Sequence, residues 1–266
     1  MYIENISPVI IEIGPVIIRW YGLMFAISIL TGFYYLRKNG LKRGFNEDDL
    51  FSLFIIILVF LIIGARAVFV AANWSFFINN PGLIIRIDQG GLAFHGGLLG
   101  GILSSWLYCR IKELNWWVLA DLAVPGIAVG IALVRVANIF NQEILGRETE
   151  MFFFEQHPTQ IYGSLIGLAL LFFHNYLVRR RTLLPGYLFW NFVLGYTLLR
   201  GLIEETFRDN PLVVWHFVNE AWGAGLFTAV QVFTPFIVLL CLVMLWRIKR
   251  TQKFIPRDKV ASMNNG

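Results

Sequence analysis

The chain has 266 residues, 57% of them hydrophobic and only 15% charged. Soluble globular domains carry about 25% charged residues, so an ordinary water-solvated core is excluded and most of the surface must face lipid. The net charge of +5 does not signal a nucleic-acid partner, because the basic residues sit in short clusters between apolar runs. Cys109 and Cys241 lie in or beside such runs and suggest neither a disulfide framework nor a metal site.

Residues Met1 to Pro15 lack a basic stretch and a small-residue cleavage site, so no cleavable signal peptide is expected. Apolar segments then follow near Val16–Leu36, Leu50–Ala72, Leu92–Cys109, Trp116–Val134, Gln160–Val178, Gly186–Ile203 and Leu226–Trp246. Runs of this length predict membrane helices, since backbone groups in lipid must be satisfied within the segment. The expectation is an all-α, seven-helix bundle: one transmembrane domain over residues 1–250 and a polar tail over 251–266. Basic residues follow alternate segments: Arg37, Lys38, Lys42 and Arg43; Arg110 and Lys112; Arg179, Arg180 and Arg181; Arg247, Lys249, Arg250 and Lys253. The positive-inside rule puts these on the cytoplasmic side, with the N-terminus outside and the C-terminus inside. Tryptophans such as Trp20, Trp74, Trp116 and Trp222 fall near segment ends, as an interfacial belt requires.

Residues that are costly in lipid carry the functional information. In chain order they are Arg66 in the second segment, His95 at the start of the third, Arg135 and Asn138 at the end of the fourth, and Arg200 and Glu204 at the end of the sixth. An arginine at mid-helix costs roughly 2.5–3.5 kcal/mol on insertion scales, so such residues face a protein interior or a wet cavity. His95, Arg135, Asn138, Glu143, His157, Arg200 and Glu204 all fall toward outward ends or loops, which predicts one polar cavity near the outer leaflet. Arg135 and Asn138 share a helix face at i,i+3, and Arg200 and Glu204 can pair at i,i+4. Two arginines converging on one cavity need an anion, and a phosphodiester suits the guanidinium fork. Glycines Gly90, Gly91, Gly96, Gly97, Gly100 and Gly101 surround His95, where they permit a chain break, close packing, or both. Arg66 suits a packing role that binds carbonyls, and His157, before Pro158, suits the start of the fifth helix.

At these positions the chain resembles the bacterial prolipoprotein diacylglyceryl transferases. The resemblance rests on Trp20-Tyr21-Gly22-Leu23-Met24, on Gly90-Gly91-Leu92-Ala93-Phe94-His95-Gly96-Gly97-Leu98, and on the stretch from Gly130 to Gly146 with Arg135, Asn138 and Glu143. It extends through His157-Pro158-Thr159-Gln160-Ile161-Tyr162 and from Gly195-Tyr196 to Arg200 and Arg208. It implies an inner-membrane enzyme whose active site faces the periplasm and whose partners are phosphatidylglycerol and prolipoprotein signal peptides with a lipobox cysteine. It implies no cofactor and no metal. The lipobox thiolate would attack the glycerol carbon joined to phosphate, releasing glycerol phosphate and leaving a thioether. By the same resemblance His95 is the candidate base, and Arg135 and Arg200 stabilise the leaving phosphate. Tyr21, Asn138 and Glu143 orient headgroup or thiol, Tyr196 and Glu204 hold Arg200, and Gly146 sits in a substrate-side turn.

The chain departs from the family pattern in four places. The segment from Gly146 to His157 is short, Gly163 stands where a carboxylate is common, Asp209-Asn210-Pro211 follows Arg208, and Thr228 to Gln231 match poorly. Two other classes compete with the transferase. An anion or lipid transporter would spread polar residues along the whole path, and an intramembrane hydrolase would need a nucleophile better partnered than Ser104 or Ser105.

Overall fold

The computed structural model describes residues 7–14, 16–87, 90–150, 155–180 and 184–251. Arg181, Lys253, the polar tail beyond Thr251 and the first six residues lie outside the described residues.

The chain is mostly helical. In order it forms strands β1 (Val9–Ile13) and β2 (Val16–Arg19), then helices α1 (Trp20–Leu41), α2 (Glu47–Ala72), α3 (Trp74–Phe77), α4 (Phe94–Ile111), α5 (Trp116–Phe140), α6 (Thr159–Arg180) and α7 (Tyr187–Leu199). A π-helical turn, Arg200–Glu204, and a last short helix α8 (Glu205–Phe207) extend α7; β3 (Leu212–Asn219), β4 (Ala224–Thr228) and α9 (Ala229–Thr251) complete the chain. Four of these helices, over Glu47–Ala72, Trp116–Phe140, Thr159–Arg179 and Ala229–Arg250, are long and apolar enough to cross a bilayer. Large apolar side chains point outward from them, among them Phe172, Phe236 and Leu239. That inversion suits lipid as solvent.

The all-α expectation needs correcting. β1 pairs antiparallel with β2, and β3 with β4, making two hairpins. Val16 opens a strand, and the first helix starts only at Trp20. The Val-Ile-Ile repeats on either side of Gly14 favour extended backbone, and Gly14 takes a positive φ of 56° at the turn. Leu226, expected in the last helix, lies in β4, and that helix starts at Ala229.

The chain divides into two compact units. The first comprises the residues up to Tyr35 and from Ala120 onward. Its core is Val124 and Ala128 of α5, Ile166 and Leu170 of α6, and Phe192 of α7, with Tyr196 and Leu199 packed against them. Small residues bring these helices close. A Cβ on Gly126 would fall 2.5 Å from the Gly32 Cα, and one on Gly167 2.8 Å from the Ala128 carbonyl oxygen. Close backbone approach of this kind replaces the hydrophobic drive that lipid cannot supply. Asp121, fully buried on α5, accepts from the backbone N–H groups of Gly186 and Phe189, each at 2.8 Å. It thereby caps α7 from another helix, satisfying donors that the helix start leaves free.

The second unit spans Leu36–Leu119. Here α2 and α4 pack through glycines: a Cβ on Gly64 would fall 3.1 Å from the Gly100 Cα, and one on Gly96 2.7 Å from the Val68 Cβ. Tyr108 and Lys112, near the end of α4, both reach Asp49 in the first turn of α2, each at 3.1 Å. Arg66 is a staple within this unit. Its guanidinium donates to the carbonyls of Leu83 (2.6 Å), Ile84 (2.8 Å), Gly90 (3.1 Å) and Gly91 (2.9 Å). The rings of Phe69 and Phe77 flank it, with centroids 5.5 and 5.2 Å from its central carbon. The packing role read from the sequence fits these contacts.

Candidate active site

The site is built where α7 gives way to the π turn. In an α-helix, residues four apart stack; in a π turn, residues five apart do. Arg200 therefore meets Glu205. Its Nη2 lies 3.2 Å and its Nε 3.3 Å from Glu205 Oε1. The i,i+4 pairing of Arg200 with Glu204 is thus corrected, and with it the role of Glu204 in holding Arg200. Glu204 turns instead to α5, where Arg135 Nη2 lies 2.6 Å from its Oε1. Tyr196 does reach Arg200: its hydroxyl lies 3.5 Å from Nη1, and its ring sits 5.8 Å from the guanidinium carbon.

Both carboxylates are wholly buried, with side-chain exposure of 0%, while Arg135 is 12% and Arg200 28% exposed. Arg208 Nη1 completes the cluster, 3.7 Å from Glu205 Oε1 and 4.0 Å from Glu204 Oε1. Burial pushes the Arg208 guanidinium below its usual range; Glu205 and Glu204 oppose that shift, and Arg135 and Arg200 add to it. Three guanidinium groups thus share two buried carboxylates, and the excess positive charge suits an anion.

Gly163 on α6 makes room for the deeper pair. A Cβ there would fall 2.5 Å from Arg135 Nε and 2.8 Å from Glu204 Oε2. Those two atoms and Asn138 Oδ1 are buried without a hydrogen-bond partner. Buried polar atoms without partners are costly and cluster where a ligand or water completes them.

Asn138, Glu143 and Gly146 have partners of their own. Asn138 Nδ2 lies 3.3 Å and Asn141 Nδ2 3.4 Å from the Glu143 carboxylate, whose backbone carbonyl accepts from Gln160 Nε2 at 2.8 Å. Tyr21, in the first turn of α1, stacks on Phe25 with ring centroids 6.5 Å apart. Gly146 bridges to Arg208 as a short strand pair, and a Cβ on it would strike the His157 backbone. It also lines a cavity of about 740 Å³, shared with Arg147, Glu148, Glu150, Glu155 and Glu220. His157 is buried and works as a clasp. Its Nε2 lies 2.8 Å from the Trp222 carbonyl and its Nδ1 3.0 Å from the Tyr162 hydroxyl. A carbonyl can only accept, so Nε2 carries a proton and donates to Trp222.

His95 belongs to the second unit, where it is exposed in the first turn of α4, edge-on to Phe94 at 5.7 Å. The structure therefore brings together Arg135, Arg200, Tyr196 and Glu204, with Asn138 and Glu143 beside them.

Sequence reasoning missed Glu205, which holds Arg200 and also accepts from Asn210 Nδ2 at 2.7 Å and Thr228 Oγ1 at 3.2 Å. No helical periodicity points to it, because the π turn shifts the register by one. A buried acid directly beside Glu204 was the available signal.

Fold and cluster together define a mostly helical membrane protein with three arginines gathered around two buried acids. The chain belongs to the prolipoprotein diacylglyceryl transferase family, whose model matches residues 8–247. It is 45% identical to the phosphatidylglycerol–prolipoprotein diacylglyceryl transferase of Thermoanaerobacter sp. strain X514, over 94% of this chain and 96% of that protein. It is 47% identical to the enzyme of the same name from Caldanaerobacter subterraneus subsp. tengcongensis over the same shares, 94% and 96%. To that of Thermus thermophilus it is 35% identical, over 90% and 97%.

Proposed function

We infer that this chain transfers the diacylglyceryl group of phosphatidylglycerol to a cysteine thiol of a prolipoprotein, the first step of lipoprotein maturation. The observation that carries the chemistry is the pairing of Arg135 with Glu204 and of Arg200 with Glu205, adjacent buried acids that keep two guanidinium groups in one cluster. Family membership over nearly the whole chain supports the same reading.

In this reading Arg135 and Arg200 bind the lipid phosphate and stabilise the charge that develops as glycerol phosphate leaves. The precursor thiolate attacks the glycerol carbon; a carbon–sulfur bond forms and the carbon–oxygen bond to phosphate breaks. His95 takes the thiol proton. Tyr21, Asn138 and Glu143 orient headgroup or thiol, Tyr196 steadies Arg200, Glu204 steadies Arg135, and Gly146 shapes the loop behind Arg208. Residues 1–250 act as one transferase domain with a polar cytoplasmic tail over 251–266.

The topology belongs to the same proposal: seven spans in the bacterial inner membrane, N-terminus outside, active site toward the periplasm. The four long helices supply part of it. The stretch from Tyr187 through the π turn to Phe207 supplies a further span that the π turn interrupts. A cysteine at Lys112 should be labelled only from the cytoplasmic side and one at Glu150 only from the periplasmic side; the reverse pattern would reject the orientation. For the activity, the purified protein in phosphatidylglycerol proteoliposomes should add a diacylglyceryl mass to a lipobox peptide. Intact peptide after prolonged incubation with correctly inserted protein would reject the reading.

A further inference from the structure

The π turn needs support from outside itself. A π turn interrupts the regular ladder of α-helical bonds, so a carbonyl near it must find another donor. Gln231, on the first turn of α9, provides one. Its Nε2 donates to the Gly201 carbonyl at 3.0 Å and to Thr206 Oγ1, also at 3.0 Å. One acceptor lies within the π turn and the other in α8, so a single amide spans the junction where the register shifts.

The same side chain closes a second circuit. Gln231 Oε1 accepts from the Thr228 backbone N–H at 3.1 Å, while Thr228 Oγ1 accepts from the Gln231 N–H at 3.3 Å. Thr228-Ala229-Val230-Gln231 is therefore a capping box at the start of α9. Thr228, which is buried, also donates its hydroxyl to Glu205 Oε2 at 3.2 Å. The helix cap, the π turn and the carboxylate that holds Arg200 are thus joined by one glutamine and one threonine. Thr234, one turn further along α9, packs against Gly201: a Cβ there would fall 2.7 Å from its Oγ1.

We propose that Gln231 is a positioning residue for the transfer reaction, holding the π turn in the register that sets Arg200 against Glu205. The proposal rests on the reading above that Arg200 acts on the lipid phosphate. In this role the position requires an amide. A glutamate would complete the capping box equally well, since only an acceptor is needed there. It would donate to neither Gly201 nor Thr206, and would add a negative charge beside two buried acids.

That asymmetry supplies the test. Gln231→Glu keeps the cap and loses both donors; Gln231→Met removes cap partner and donors together. Transfer to a lipobox peptide is measured in phosphatidylglycerol proteoliposomes, with each variant's insertion and melting temperature followed alongside. Leaving buried acceptors unmet should lower kcat for Gln231→Glu about tenfold or more, with a smaller change in KM for the peptide. Because both side chains act through one group, Gln231→Glu should cost little further activity in an Arg200→Lys background. A Gln231→Glu protein with wild-type kcat, whatever its melting temperature, overturns the positioning role, and so does a full additional loss on top of Arg200→Lys. Should Gln231→Met fail to insert, the Gln231→Glu arm still decides. If Arg200→Lys itself transfers at the wild-type rate, the phosphate role of Arg200 fails instead, and the two failures are told apart.

Discussion

Glu205 shows how much one side chain can organise. It is fully buried and receives Arg200, Asn210 and Thr228 on its two oxygens. A buried carboxylate is tolerable only when its lone pairs are met, and here the partners come from the residues flanking it and from the start of α9. Replacing it as Glu205→Gln keeps the shape, removes the charge that aims Arg200, and leaves that guanidinium less constrained. Transfer should fall by about tenfold to a hundredfold, on the scale of a lost charge-assisted bond, while membrane insertion persists. An initial-rate assay on proteoliposomes checks it, and an unchanged rate would show that Arg200 needs no such anchor. The sequence could place Arg135 and Arg200 because arginine in an apolar run is conspicuous. It could not assign their partners, because the i,i+4 rule presumes an unbroken α-helix. Asn138 and Glu143 were legible for the same reason as the arginines. Asp121 was overlooked: its α7-capping role depends on a helix distant in sequence.

At the scale of elements, glycine decides how close the helices come. In the second unit, α2 and α4 touch backbone to backbone, and a Cβ on Gly100 would strike the Phe60 carbonyl. Gly100→Val should therefore separate the two helices and lower stability by about 1–3 kcal/mol, the usual cost of overpacking. A thermal melt in detergent reads this as a lowered melting temperature; an unshifted melt would mean the contact is not maintained in the membrane. The glycine run was readable as packing or as chain break, and both occur: Gly96 and Gly100 pack, while Gly90 and Gly91 take positive φ of 84° and 75°. A Cβ on Gly91 would also fall 2.5 Å from Arg66 Nη1, so the staple and the glycine depend on each other. The hairpins were not legible. Val9–Arg19 and the end of β4 from Leu226 run on into apolar helices, and hydropathy averaged over a window cannot separate a short apolar strand from a helix end.

For the molecule as a whole, composition pointed to lipid as the solvent and the costly residues pointed to one cluster. A chain with 15% charge gathers three arginines and two acids into one buried cluster, and that arrangement is hard to explain by stability alone. The transporter alternative called for polar residues along the full path, whereas the first unit concentrates its buried ion pairs at the π turn, and the chain's family is a transferase family. The account stands or falls on two guanidinium groups acting together on one lipid phosphate. The most direct measurement is peptide mass after incubation with phosphatidylglycerol proteoliposomes holding Arg135→Ala, Arg200→Ala or the wild-type protein at equal, verified insertion. The account predicts diacylglyceryl addition by the wild type and none by either variant. Transfer at the wild-type rate by either one would contradict it.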